Sequence, residues 1–238
     1  MTHTGGRAKW LAAEAKRVLP PGMLRFSSAH LLAAIVLLII VSPFLEISPI
    51  GVWIEAVLAT LVLAAGVTAV GGQRNSLIVA AALVIPSLSL KWAHLSMPES
   101  VPAWSFRSVT LLFLGFLTGR LLRFALRAPR ADWNVLCAAV CVYLLMGLFW
   151  AVAYTLIAEI DPSAFAVNAS GGQVSGFNAL YFSFTVQTTV GFGDIAPVTP
   201  VAKLGTLLQS TLGVFYVTLL IASLVSRMGV PDRPVDHH

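Results

Sequence analysis

Between two long apolar stretches the chain carries Thr188-Thr189-Val190-Gly191-Phe192-Gly193-Asp194. The chemistry available there belongs to the backbone. A cation entering a narrow passage must exchange its water shell for other oxygens, and successive peptide carbonyls can supply them if all point to one axis. Gly191 and Gly193 open backbone angles closed to other residues. Thr189 can add its hydroxyl oxygen at the inner end. One chain supplies one such strand, so stacked rings of oxygens require four copies around a symmetry axis. A phosphate-cradling glycine loop is a poor rival, because no Lys-Ser or Lys-Thr pair follows the glycines.

The elements that must position this stretch come next. Asn178 to Thr188 predicts a short apolar helix of about three turns, too short to cross a bilayer. A Gly-x-Gly stretch, an acid and the helix-stopping Pro197 follow it. A half-inserted helix followed by irregular backbone is a re-entrant loop, which survives at membrane depth only where protein buries it or it lines a water-filled path.

Around it the chain has the composition of a membrane protein. Of 238 residues, 58% are hydrophobic and 11% charged, with mean hydropathy +0.86; a soluble domain has about 25% charged residues. Apolar segments near 28–45, 51–70, 76–92, 102–119, 134–158 and 201–225 each approach the ~20 residues needed to span. Pro86 interrupts the third. The predicted fold is therefore all-α, with six transmembrane helices plus a re-entrant pore helix and extended filter. Its parts are a cytoplasmic segment 1–27, a four-helix membrane domain 28–132, a pore domain 133–226 and a cytoplasmic tail 227–238. Arg7 to Leu19 is either a basic helix on the inner membrane face or a disordered tail.

The seven residues resemble the signature of the potassium channel family, among the pore-loop cation channels, with Phe192 where Tyr is commoner. The resemblance covers about residues 134 to 227. It implies potassium coordination by the backbone carbonyls of Thr189, Val190, Gly191 and Phe192, plus the Thr189 hydroxyl. A homotetramer of bacterial-type six-span subunits follows, with lipid, its own copies and potassium as partners and no cofactor. Gly213 lies where the family's inner helix usually carries a hinge glycine; close packing against the pore helix is the other reading. Thr185 stands where some bacterial members carry a Glu that bonds the residue matching Asp194. The filter's support must therefore differ, with Thr188, Asp194, Tyr181 and Thr185 as its members and Tyr181 to Asp194 as the candidate bond.

Charge sets the orientation. Arg7, Lys9, Lys16, Arg17, Arg25, Arg74, Arg120, Arg123, Arg127, Arg130, Arg227 and Arg233 fall on one side if six spans alternate, leaving Lys91, Arg107 and Lys203 for the other. This predicts a multi-pass plasma-membrane protein with both termini cytoplasmic. The net charge of +5 thus belongs to membrane edges, and nucleic-acid binding is not expected. The first span has no A-x-A cleavage pattern after Pro43 and is expected to be retained.

Six spans resemble voltage-gated channels by count only. The fourth has no charge from Ser108 to Gly119, with Arg107 at one end and Arg120, Arg123, Arg127 and Arg130 at the other. Those four share one helical face and are expected either as membrane-edge anchors or as an amphipathic helix along the inner headgroups. Glu55 is expected at the interface rather than paired with Arg107. Cys137 and Cys141 are expected to be small buried hydrophobes. Asn168-Ala169-Ser170 carries no weight as a glycosylation site. His30 and His94 are single, and metal binding is not expected. The reading is a passive potassium channel without strong voltage gating, not an enzyme. The alternatives are a voltage-gated channel with a reduced sensor, a potassium transporter, and an accessory subunit.

Overall fold

Six stretches are apolar enough to cover their own backbone in lipid, and each satisfies its peptide groups internally by coiling into a helix. The computed structural model describes residues 24–45, 50–70, 74–128, 133–167 and 173–228. In order, the elements are α1 (Leu24–Leu45), α2 (Gly51–Val70), α3 (Arg74–Ser96), α4 (Ala103–Arg127), α5 (Trp133–Ile160), β1 (Phe165–Val167), α6 (Gly176–Gln187), β2 (Ile195–Pro197) and α7 (Pro200–Met228). All but α6 among the helices are long and apolar enough to span a membrane. The segment Arg7 to Leu19, Asn168-Ala169-Ser170, Arg130 and the tail from 229 lie outside the described residues.

Beside the helices lies one short element with no sequence signal: β1 and β2 pair antiparallel, with Phe165 opposite Pro197 and Val167 opposite Ile195. Strands of three residues are too short to show a period. α4 runs beyond Gly119, unbroken through Arg120, Arg123 and Arg127, so those arginines do not belong to a separate surface helix. A one-sided arginine stripe has the same spacing whether its helix lies along the membrane or runs through it.

The core runs along α5. Phe113, Leu117 and Leu121 of α4 and Leu31 and Ile35 of α1 pack with Ala138, Val142 and Leu145 of α5. Of the first four helices, α1 and α4 thus rest directly on α5. Hydroxyls help where apolar packing has no direction. Ser87, beside Pro86 in α3, lies 2.5 Å from the Thr110 hydroxyl of α4; such interhelical bonds are worth about 0.6–2 kcal/mol in lipid.

Two ion pairs join helices at the end of the bundle where α6 begins. Lys91 Nζ lies 3.3 Å from Glu55 Oε1, and Arg107 pairs with Glu159. Glu55 is not paired with Arg107; its partner Lys91 lies on another helix, beyond the reach of local pattern. A cavity of about 380 Å³ opens beside these pairs, between the four-helix domain and the first turn of α6, and Gly176, Phe177 and Leu180 line it.

Gly147 of α5 lets α6 approach. A Cβ there would stand 2.5 Å from the Phe184 ring, a rigid neighbour that cannot bend away. Gly147→Ala should therefore lower the stability of the purified protein by about 1–3 kcal/mol through overpacking. Phe184→Leu in the same chain should recover part of that loss, and a double-mutant cycle of thermal unfolding checks the coupling.

Candidate functional site

The site is built on the C-terminal end of α6. Helix ends leave carbonyls unpaired, and here the following segment turns back to take them. Val190 N–H donates to Thr185 O at 2.9 Å and Thr189 N–H to Val186 O at 3.0 Å. These are the two bonds of a Schellman closure, whose C′ residue must adopt the left-handed conformation and is usually glycine. Here it is Thr189, with φ of 61°. A left-handed conformation costs an L-residue roughly 1–2 kcal/mol, and a β-branched residue there is exceptional. The sequence keeps a hydroxyl where glycine would relax the strain. Strain of this kind persists at sites where surrounding structure enforces it.

The next amide continues the pattern, with Gly191 N–H 3.2 Å from Thr185 O. Positive φ recurs at Gly191 (52°) and Gly193 (79°), while Val190 and Phe192 are not in that region. Alternation of left- and right-handed residues turns successive N–H groups to one side and so the carbonyls to the other. In this chain the N–H side faces α6. Among the described residues no hydrogen bond ends on the carbonyl oxygens of Thr189, Val190, Gly191 or Phe192. The residues from 188 to 193 are exposed in the single chain. What the geometry offers is a short ladder of free carbonyls at the C-terminal, negative end of a helix dipole, an arrangement that favours a cation.

Side chains hold the ladder from behind. Phe192 stacks on Tyr181 of α6, with ring centroids 6.1 Å apart and planes 6° apart. The Tyr181 phenol is pushed above its ordinary range by desolvation, then by the neighbouring Asp194 carboxylate. The Thr185 hydroxyl turns to Phe182 O at 2.9 Å and the Thr188 hydroxyl to Phe184 O at 2.7 Å. Asp194 Oδ1 also accepts from Ile195 N–H at 3.0 Å, where β2 begins.

Sequence reasoning missed the polar groups behind α6. Ser183 and Gln187 of α6 and Gln209 of α7 are buried together. Gln187 Nε2 donates to Tyr143 O of α5 at 2.7 Å. The available signal was a glutamine inside each of two apolar segments, since polar groups at membrane depth tend to be functional.

Gly213 lies within an unbroken α7. A Cβ on it would stand 2.7 Å from Gln187 O and 3.1 Å from Gln187 Cγ. The backbone of α7 therefore approaches the residue that ends α6, which gives Gly213 a packing reason.

Residues 134–229 match the model of a family described as "Ion channel". A curated relative, the uncharacterized membrane protein YdjJ of Bacillus subtilis (strain 168), is 30% identical over 99 residues, 42% of this chain. The matched stretch spans 28% of that relative's length. No solved structure matches. Residues 134–229 are thus similar to an ion-channel domain, and the matched stretch begins in α5 and contains the whole carbonyl ladder.

Since the Gln187 carbonyl belongs to backbone and cannot swing aside, Gly213→Ala should lower stability and disturb the ladder together. The loss should be about 1–3 kcal/mol, as for other overpacked contacts, measured by thermal unfolding alongside ion flux. Wild-type stability with reduced opening alone would instead mark Gly213 as a hinge.

Proposed function

We propose that the protein is a potassium-selective channel subunit that conducts passively through a tetrameric pore. The observation that carries this reading is the free carbonyl ladder at residues 189 to 192, with its amides tied back to α6. Potassium sheds its water at low cost only if rings of oxygens replace the shell, and one ladder supplies one oxygen per ring. Four copies about an axis complete each ring, with the Thr189 hydroxyl adding a further oxygen at one end. In this reading α6 is the re-entrant pore helix and α7 lines the inner passage.

The surface of the single chain supports assembly. Val201, Leu204, Leu208, Leu212 and Phe215 of α7 are exposed, on the element that leads away from the ladder. An apolar face of this extent serves either lipid or a neighbouring copy, and the open ladder beside it favours the copy. Alanine at Gly193 would force a Cβ into a backbone with φ of 79°, strained whatever the surrounding space. Gly193→Ala should abolish selective flux in proteoliposomes, where wild type should prefer potassium over sodium by roughly a hundredfold, a discrimination of about 2.7 kcal/mol. Equal permeability of the two ions in a wild-type tetramer would end this reading.

One observation favours a second reading, a voltage-gated channel with a reduced sensor. Arg120, Arg123 and Arg127 continue the axis of α4 and could enter the field. Against it, Glu55 is the only acid among the described residues of α1 to α3, and it pairs with Lys91, at the other end from the arginines. Without countercharges to step between, the arginines should act as membrane-edge anchors. Arg123→Gln with Arg127→Gln should reduce correct insertion more than it moves any voltage midpoint. Planar-bilayer recordings should show fewer than about two gating charges per subunit, against the three to four of a voltage sensor.

A further inference from the structure

Gln209 sits in the middle of an apolar span and is fully buried. An amide taken out of water costs several kcal/mol unless its groups find partners, roughly 4–8 in surroundings that cannot hydrogen-bond. Here both ends are used. Nε2 donates to Ser183 O at 2.9 Å, to Ser183 Oγ at 2.8 Å and, more distantly, to Gln187 Oε1 at 3.3 Å. Oε1 accepts from the Tyr154 hydroxyl at 2.7 Å. The Ser183 hydroxyl in turn donates to Gly147 O at 2.7 Å. The partners fix which end of the amide is which, because the Ser183 carbonyl can only accept. One side chain of α7 thereby joins α5 and α6 at a single point.

Its neighbours carry the connection to the carbonyl ladder. Gln187, which receives the Gln209 amide, is two residues from Thr189. Gly213 lies one turn beyond Gln209 on the same face of α7 and abuts the Gln187 carbonyl. So α7 holds Gln187 twice, by its side chain and by its backbone.

Apolar residues would fill this space without the desolvation cost. Helices in lipid have little hydrophobic drive against one another, so apolar contacts fix their height and rotation weakly. Directional bonds fix both. A buried polar network that is fully satisfied specifies one arrangement.

We propose that Gln209 is a positioning residue for the carbonyl ladder. Its amide, oriented by the Tyr154 hydroxyl, locks α6 in height and rotation between α5 and α7, so that residues 189 to 192 present their oxygens at a fixed level. The proposal rests on the functional reading above for its effect on selectivity, but its structural half can be read without any ion current.

The experiment compares wild type, Tyr154→Phe, Gln209→Leu and Ser210→Ala in purified, reconstituted protein. Ser210 is the control, because it adjoins Gln209 while its hydroxyl bonds Leu207 O of its own helix. Amide hydrogen exchange and the potassium-to-sodium permeability ratio are both measured. In Tyr154→Phe the amides of Thr189, Val190 and Gly191 should exchange about three- to tenfold faster, the factor one ordinary hydrogen bond provides. The amides in the middle of α5 should keep wild-type protection. The permeability ratio should fall by a similar factor, more in Gln209→Leu, and Ser210→Ala should match wild type in both. Unchanged exchange and ratio in Tyr154→Phe would overturn the proposal, as would a uniform loss of protection across α5, α6 and α7, the mark of a merely structural role. If Gln209→Leu does not fold, Tyr154→Phe decides. If wild type itself shows no selectivity, the functional reading fails, and the exchange of those three amides alone decides the positioning role.

Discussion

The return of three successive amides onto the last turn of α6 is the constraint on which the rest depends. Once the N–H groups of Thr189, Val190 and Gly191 are committed to the carbonyls of Thr185 and Val186, the carbonyls of Thr188, Thr189 and Val190, which lie opposite those N–H groups across trans peptides, must face away from the helix. The commitment forces Thr189 into a left-handed conformation, and glycine at 191 and 193 carries the alternation onward at little steric cost. A strained segment of this kind needs support along its length. It receives it from the Phe192–Tyr181 stack, from Asp194 at its far end, and from the β1–β2 pair that fixes the chain beyond. The helix itself is held by close approach, at Gly147 from α5 and at Gly213 from α7.

How much of this was legible depended on whether the signal was local. Six apolar runs and a Gly-x-Gly stretch are local, and they led to the spans and to the ladder's residues. The pairing of Glu55 with Lys91 and of Arg107 with Glu159 was not legible, since each joins helices whose packing no run of residues encodes. The same holds for Tyr154, Ser183 and Gln209. A polar residue in an apolar span announces that it needs a partner but not which one. The far end of α4 stays open in the sequence because hydropathy falls at Arg120 while helix propensity does not; arginine and leucine are both good helix formers.

The first four helices and the stretch similar to an ion-channel domain are joined along α4 and α5 and at the end where α6 begins. Their charges are divided. Ion pairs gather at that end, while Arg120, Arg123 and Arg127 stand unaccompanied by acids from α1 to α3 at the other. The paired end borders the cavity beside the first turn of α6, so displacement of α3 or α4 there would be felt by the helix that carries the ladder.

The central claim is that the carbonyls of Thr189, Val190, Gly191 and Phe192 hold a dehydrated cation on an axis shared by four copies. Diffraction or cryo-EM of the assembled protein with rubidium or thallium replacing potassium tests it most directly. The account predicts a column of heavy-ion density on a four-fold axis, at levels between successive rings formed by those four carbonyls. A well-ordered assembly with no ion between those oxygens, or with the ladder turned away from the axis, would contradict it.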